Sequence, residues 1–425
     1  MSAKNDQIKE TMKATRERRS GMLCRVFEIK IVKGKLSSTK KEHLDALFRE
    51  AKWLRNSELA KNDVYLLNRN AKTVSVKVGN SFETRTLEYL GSQMRQDIVD
   101  QIKSDIKGLS ASKAQGRNVG SLKFKSFCNM VPLRQYGTTY RIDFEKNTVT
   151  IQGFKKPFKV RGLKQIPSDA EIANAKLIRK PSGYYFHITT YSTPAETEST
   201  GTVCGIDFGI GNNLTFDNDE KINISVPESK AIKLASRRIN KALHRNDGVK
   251  SNGHYKRVDR LQRAYERQNN IKRDIANKAV SEILNNYDFI AIQDEMIAGW
   301  HHGIFGKQVQ HSAMGFIKAK LKTSSKVHVV ERSFPSTQKC PVCGKNTKHP
   351  LSERSYHCAY CGYMHPSRDA KAATMILSEA LQNVSPEQRA KSPVEVKPSS
   401  SCCNNGIVTQ IAVKVSPTKQ EAQVL

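Results

Sequence analysis

Four of the nine cysteines fall in two pairs, CPVC at 340–343 and CAYC at 358–361, fourteen residues apart. A glycine follows each pair, Gly344 and Gly362. Two knuckles at this spacing can bring the thiolates of Cys340, Cys343, Cys358 and Cys361 around one tetrahedral Zn²⁺. Glycine permits the tight turn in which backbone N–H groups point at sulfur. A shell of four thiolates leaves no open coordination position, so the expected role is structural: one zinc ion that supplies folding energy to a short segment. The remaining cysteines, Cys24, Cys128, Cys204, Cys402 and Cys403, do not have the pattern of a disulfide framework.

A second chemistry is written in carboxylates. Asp207 closes the apolar run VCGIDF and is followed by Gly209 and Gly211. Asp294 and Glu295 follow another apolar run, FIAIQ, and Asp369 opens the segment RDAKAATMIL. Along a strand of period two, Phe289, Ala291, Gln293 and Glu295 share one face and Ile290, Ile292 and Asp294 share the other. One of the two adjacent acids therefore faces any site and the other turns away, and the period alone does not choose between them. Carboxylates at the ends of two neighbouring strands and at the start of a following helix can converge on two Mg²⁺ ions. Such a pair of ions would clamp the attacking and leaving oxygens of a phosphodiester. Hard divalent ions prefer carboxylate oxygen to imidazole or thiolate.

These side chains need elements to hold them. Residues 1–21 read as a polar, basic arm. In CRVFEIKIVK, Phe27, Ile29 and Ile31 alternate as a strand does, and two stretches of helical period follow: Leu44, Leu47, Ala51, Leu54, then Leu87, Leu90, Met94, Ile98, Ile102, Ile106. Hairpins are expected in YRIDFEKNTVTIQGF and in KLIRKPSGYYFHITTY, the latter turning at Pro181, Ser182 and Gly183. STPAETEST (192–200) reads as a linker. A second body follows, with strands at TVCGIDFG, NNLTF and DFIAIQ, a long basic helical region over about 228–286 and a short last helix over 370–381. The Ser-, Pro- and Lys-rich residues 382–425 read as a disordered tail.

The chain has 425 residues, with 71 Lys+Arg against 40 Asp+Glu, a formal charge of +31. Such an excess repels itself unless a polyanion neutralises it, and nucleic acid is the abundant intracellular polyanion. From Lys230 to Lys278 there are fifteen Lys/Arg and four acids. Val258, Leu261, Tyr265, Ile271, Ile275, Ala279 and Ile283 are expected to face the body. Arg257, Arg260, Arg263, Arg267, Lys272 and Arg273 are expected to meet phosphates, contacts that carry no sequence information and weaken with salt. No apolar stretch approaches the ~20 residues of a spanning helix, and the N-terminus has no apolar secretory core. A cytoplasmic, nucleoid-associated protein with no membrane partner is expected.

GIDFG, FIAIQDE, CPVCG…CAYCG and RDAKAA, in that order, resemble the TnpB-type transposon-encoded nucleases and the related compact type V CRISPR effectors. FREAKWLRN, NVGSLKFKSF (118–127), RSFPSTQKCPVCG (332–344) and SPVEV with TKQEA (392–396, 418–422) extend the similarity over nearly the whole chain. The resemblance implies an α/β multidomain protein: a RuvC-like (RNase H-fold) nuclease domain with an inserted zinc ribbon, and an N-terminal β-barrel-like domain with a helical insertion. The implied division is an arm at 1–21, a wedge domain at 22–191 with its recognition insertion at about 38–110, and a linker at 192–200. The nuclease domain then occupies 201–335 and 363–381 around a ribbon at 336–362, before the tail at 382–425. By resemblance the metal-binding, catalytic acids are Asp207, Glu295 and Asp369; QDE followed by Trp300 resembles one branch of the family, which favours Glu295 over Asp294. Two departures stand beside these acids: Lys371 where many relatives have Asn, and Gln293 ahead of the acid pair. The implied activity is Mg²⁺-dependent, RNA-guided DNA cleavage, with guide RNA and double- and single-stranded target DNA as partners and both monomer and homodimer open. A protein of the same fold without cleavage would be an RNA-guided DNA-binding repressor.

Overall fold

The computed structural model describes residues 3–61, 63–193, 201–245, 248–350 and 352–383. Most of the linker expected at 192–200 and of the tail expected at 382–425, with Cys402 and Cys403, lies outside them. The chain divides into two compact units, residues 1–196 and 197–425.

In the first unit the polar arm is a helix, α1 (Ala3–Ser20), held to the body where Arg18 and Arg19 both donate to the Glu171 carboxylate, at 2.5 and 2.6 Å. Seven antiparallel strands follow as β1 (Leu23–Ile31), β4 (Met130–Leu133), β5 (Tyr140–Asp143), β6 (Thr148–Ile151), β7 (Phe158–Arg161), β8 (Glu171–Lys180) and β9 (Gly183–Ser192). Their order, β4-β8-β9-β1-β7-β6-β5, makes a nearly closed, barrel-like sheet. Alternation fills it: Ile29, Ile31, Val131, Leu133, Val149, Ile151, Phe158, Val160, Phe186 and Ile188 are all buried. Between β1 and β4 lie α2 (Ser38–Leu59), a hairpin of β2 (Thr73–Val78) and β3 (Ser81–Thr86), and α3 (Ser92–Ala114). The Ser37 side chain caps α2 by accepting from the Lys40 N–H, and Leu44, Leu47, Phe48, Ala51 and Leu54 form its buried stripe. The expected helical insertion thus also contains a two-stranded hairpin.

The second unit is built on a mixed sheet of β10 (Val203–Phe208), β11 (Leu214–Phe216), β12 (Lys221–Ile222), β13 (Phe289–Gln293) and β14 (Val327–Val330). The order is β12-β11-β10-β13-β14; the first three strands pair antiparallel, and β10, β13 and β14 run parallel. Between β12 and β13 the chain forms α4 (Lys230–Arg245) and α5 (Asn252–Asn286). Between β13 and β14 it forms α6 (Ile297–Trp300), α7 (Gly306–His311) and α8 (Met314–Leu321). A small hairpin of β15 (Tyr356–His357) and β16 (Met364–His365) belongs to the cysteine region, and α9 (Arg368–Gln382) closes the unit.

The two faces of this sheet bury different residues. Cys204, Ile206, Phe208, Ile290 and Ile292 pack with Ala276, Val280 and Ile283 of α5 and Met314, Ile317 and Leu321 of α8. Phe289 and Ala291 pack instead with Ile376, Leu377 and Ala380 of α9. Helix α9 comes so close to β10 that a Cβ on Gly205 would lie 2.1 Å from the carbonyl oxygen of Ala373. Gly205 therefore lets strand and helix meet backbone to backbone, which fixes the second turn of α9 against the middle of β10.

Candidate metal centres

Period two carries the two-face division into the acids. On β10, Asp207 follows Gly205 on the α9 face; β13 carries Phe289 and Ala291 on the same face and ends at Gln293, and Glu295 lies two residues further on, its N–H bonded to the Gln293 carbonyl at 2.9 Å. Asp369 lies in the first turn of α9, whose N-cap is Ser367, its hydroxyl accepting from the Ala370 N–H at 3.2 Å. The Arg368 N–H donates to the Arg354 carbonyl at 2.7 Å and its guanidinium to the Pro350 carbonyl at 2.9 Å, so the cysteine region holds the same helix start.

Asp207 senses the other two carboxylates. Desolvation, then the charges of Asp369 and Glu295, raise its pKa well above the usual carboxylate value, against smaller opposing effects of Arg368 and Lys371. Desolvation also raises Glu295. Among the described residues, none of the three side chains accepts a hydrogen bond. Carboxylates that converge, repel and keep their lone pairs free suit a hard divalent cation, which would neutralise them and take those lone pairs. Their oxygens do not all lie within 4.8 Å of one another, as the four sulfurs do; donors shared by two ions are spread more widely than donors to one.

Asp294 is engaged elsewhere. It accepts from Lys318 at 3.1 Å and Lys322 at 2.6 Å, and Arg332 lies 3.7 Å away. Hydrogen bonds from Lys322 and Lys318 draw its pKa down to about 2. Lys318, on α8, also donates to the Glu295 carbonyl. The adjacent acids thus have opposite surroundings: a compensated charge at Asp294, a carboxylate beside Asp207 at Glu295.

The four cysteine sulfurs form, among the described residues, a group whose ligand atoms all lie within 4.8 Å. Cys340 and Cys361 sulfurs are 3.6 Å apart and those of Cys343 and Cys358 are 3.5 Å apart. A disulfide needs ~2.05 Å, whereas a tetrahedron with Zn–S bonds of ~2.3 Å has edges near this length. Gly344 and Gly362 both have positive φ, 70° and 74°, and their N–H groups bond the carbonyls of Cys340 and Cys358 at 3.0 Å. The Val342 N–H reaches the Cys340 sulfur at 3.4 Å. The residues fit a structural zinc ion.

Two buried polar side chains beside the acids stand out in the sequence only as departures from the family's motif, with nothing to say what they hold. The Gln293 amide donates to the carbonyls of Glu331, Arg332 and Phe334, and the buried Lys371 ammonium donates to those of Ser336, Thr337 and Lys339. Burial lowers the Lys371 pKa to about 8.

On α5, Arg260, Arg263, Arg267 and Arg273 are exposed and Arg257 is half-buried. Arg263 pairs with Asp259 at 2.6 Å, and Arg273 lies over the Phe316 ring. Lys272 departs from the expected surface cations: it is 7% exposed, and its ammonium donates to the Gln310 carbonyl inside the unit. The buried stripe runs through Gln268, Lys272, Ala276, Ala279 and Ile283, so it includes Lys272 and leaves Tyr265 partly exposed.

Two family models match this part of the chain. OrfB_IS605, described as a probable transposase, matches residues 186–299, which include β10, Asp207, β13 and Glu295. A model described as the TNB domain of Cas12f1-like proteins matches residues 313–376, which include the four cysteines and Asp369. A comparison with curated proteins gave no match. The class supported is, generally, an endonuclease. More particularly, the two matches support a TnpB/compact type V effector family for this chain, and these families suggest RNA-guided nuclease activity.

Proposed function

We propose that the chain is an RNA-guided DNA endonuclease, in which a guide RNA pairs with target DNA next to a short flanking motif and a RuvC-like site hydrolyses the strand. The observation that supports this reading is that the charges of Asp369, in the first turn of α9, and of Glu295, just past β13, both act on Asp207 of β10, while none of the three side chains accepts a hydrogen bond among the described residues. The order of the sheet, in which its third, second, first, fourth and fifth strands are neighbours, with only the first three antiparallel, suits an RNase H-type fold. On this reading residues 201–335 and 363–381 form the nuclease domain and 336–362 its ribbon. Residues 22–191 form the wedge, with the recognition insertion at about 38–110.

In the mechanism proposed, Asp207, Glu295 and Asp369 would hold two Mg²⁺ ions, which when bound would supply an activated water and stabilise charge on the attacking and leaving oxygens. Asp207 lies between the other two acids in the balance of charge. Helix α9, packed on Gly205, presents Asp369 at a fixed distance from the strand that bears Asp207. Asp294 keeps Lys318 and Lys322 beside Glu295 without being a ligand. Arg257, Arg260, Arg263, Arg267 and Arg273 bind phosphates, while guide–target pairing supplies specificity.

The test is to purify the protein with its bound RNA, sequence that RNA, and add a plasmid carrying the matching sequence with Mg²⁺. Cutting that depends on the RNA and on Mg²⁺ is expected. Binding without cutting would replace the nuclease by an RNA-guided repressor, and joining of ends without RNA would replace it by a strand transferase. The same preparation should contain one zinc per chain. Changing Cys340 and Cys343 to Ser should remove the zinc and destabilise the ribbon; a zinc-free parent protein would overturn the metal assignment.

A further inference from the structure

The connector from β14 to the first cysteine, residues 331–339, has no strand or helix of its own and must place its carbonyls somewhere. Side chains from three other elements take most of them. Gln293, at the end of β13, donates to Phe334 at 2.6 Å, Glu331 at 3.1 Å and Arg332 at 3.3 Å. Lys371, in the first turns of α9, donates to Ser336, Thr337 and Lys339, each at 2.9 Å. Its three protons are thus matched by three carbonyls, and the charge lies 3.9 Å from the centroid of the Tyr356 ring. Tyr356, fully buried among the cysteines, donates from its hydroxyl to Gln338 at 3.0 Å. Ser336 joins the grips: its hydroxyl donates to the Gln293 amide oxygen at 2.8 Å while its carbonyl receives Lys371.

Gln293 and Lys371 are both almost fully buried, and each lies two positions from an acid, Glu295 and Asp369. Gln293 reaches the connector from the end of β13 and Lys371 reaches it from the first turns of α9, so two separate elements grip it.

We infer that Gln293 and Lys371 are positioning residues that clamp the connector from two elements and so hold the cysteine region in register with the second and third acids. The last step, that this register sets divalent-ion binding at the acids, rests on the function proposed above; the clamp does not. A shift of the connector would then move Glu295 and Asp369 together, and zinc at the ribbon and a divalent ion at the acids would be coupled. Such coupling is reciprocal.

The test uses the full chain and three readouts: backbone amide exchange over 331–339, release of zinc to a chromogenic chelator, and Mn²⁺ affinity by electron paramagnetic resonance. Gln293→Met and Lys371→Met keep side-chain length and remove the donors; Ser336→Ala removes only the hydroxyl link and serves if Lys371→Met does not fold. Exchange confined to 331–339 should rise by about tenfold in each Met variant, the scale set by lost buried hydrogen bonds, and by less in Ser336→Ala, with faster zinc release. In the parent, chelating zinc should weaken Mn²⁺ binding, and in the Met variants this dependence should fall. Unchanged connector exchange and zinc release in Gln293→Met and Ser336→Ala would overturn the clamp, as would an increase spread evenly over both units. Mn²⁺ binding that survives Asp207→Ala would refute the acid site, while connector exchange and zinc release would still decide for or against the clamp.

Discussion

Both units bury carboxylates, and they treat them in opposite ways. In the first unit Glu50 is 3% exposed and accepts the N–H groups of Glu88, Tyr89 and Leu90, which lead into α3. Glu58, 2% exposed, accepts Lys61 and the N–H of Asn68. Each of these charges orders its own stretch of chain. In the second unit Asp207, Glu295 and Asp369 lie less deeply buried, yet none accepts a hydrogen bond among the described residues, and the charges of the other two raise the proton affinity of Asp207. The two groups differ in burial, but they differ more in what their oxygens meet. A carboxylate satisfied by N–H groups orders its own chain, whereas the unsatisfied set is the one proposed above to hold cations.

The contrast can be broken from either side. The largest expected effect is on cleavage. Asp207→Ala should lower the cutting rate by about 10³-fold or more, the loss of several kcal/mol of transition-state stabilisation, with bound RNA unchanged. Glu295→Gln should behave similarly and Asp294→Asn should retain most activity; equal losses at 294 and 295 would erase the distinction drawn between them. Next is stability in the first unit. Glu50→Ala leaves three N–H groups without their acceptor and should cost about 3 kcal/mol or more, at ~1–3 kcal/mol for each unsatisfied buried group. Calorimetry should show that loss in the first unit while cleavage of intact protein persists. A smaller effect of opposite sign is expected at the site. Asp207→Asn relieves desolvation and like-charge repulsion at the ion-free site and should raise the melting temperature of the second unit without added metal, a gain that added Mg²⁺ should cancel by stabilising only the parent.

The smallest concerns α1. Hydrogen bonds from Arg18 and Arg19 lower the Glu171 pKa from 4.5 to about 2. A carboxylate lowered on folding contributes stability that is complete above about pH 4.5 and lost as pH falls towards 2. Amide protection in residues 3–20, corrected for intrinsic rates, should fall between pH 6 and pH 3. In Glu171→Gln it should be low at both.

How much of this is legible in the sequence depends on how local the cause is. The zinc-type group follows from two tetrapeptides and their glycines, so spacing alone predicts it. Asp207 is visible because an apolar run ends in it and glycines follow. Asp294 and Glu295 cannot be separated by period, because the deciding facts are distant: α9 covers one face of the sheet, and Lys318 of α8 and Lys322, its C-cap, reach Asp294. Lys272 defies the surface expectation although its sequence holds a warning: Gln268, Lys272 and Ala276 recur every four residues in line with Ala279 and Ile283, and a polar side chain on that stripe is easily taken for surface. The hairpin of β2 and β3 hides between two strong helical patterns, though Val74, Val76 and Val78 alternate ahead of Gly79 and Asn80. Gln293 and Lys371 stand out only as departures from a motif, because their partners lie 38 to 41 and 32 to 35 residues away in chain order.

The position of α9 has one more consequence, in biosynthesis. The strand bearing Asp207 and the one leading to Glu295 are made early, and the sheet is complete once β14 emerges, but Asp369 follows only after the whole cysteine region. At about 5–20 residues per second, several seconds separate synthesis of the second acid from the third. A ribosome-bound or prematurely ended chain would carry the strands and the basic helices yet lack the third carboxylate, so the acid site proposed above would be completed only after the cysteine region has been made.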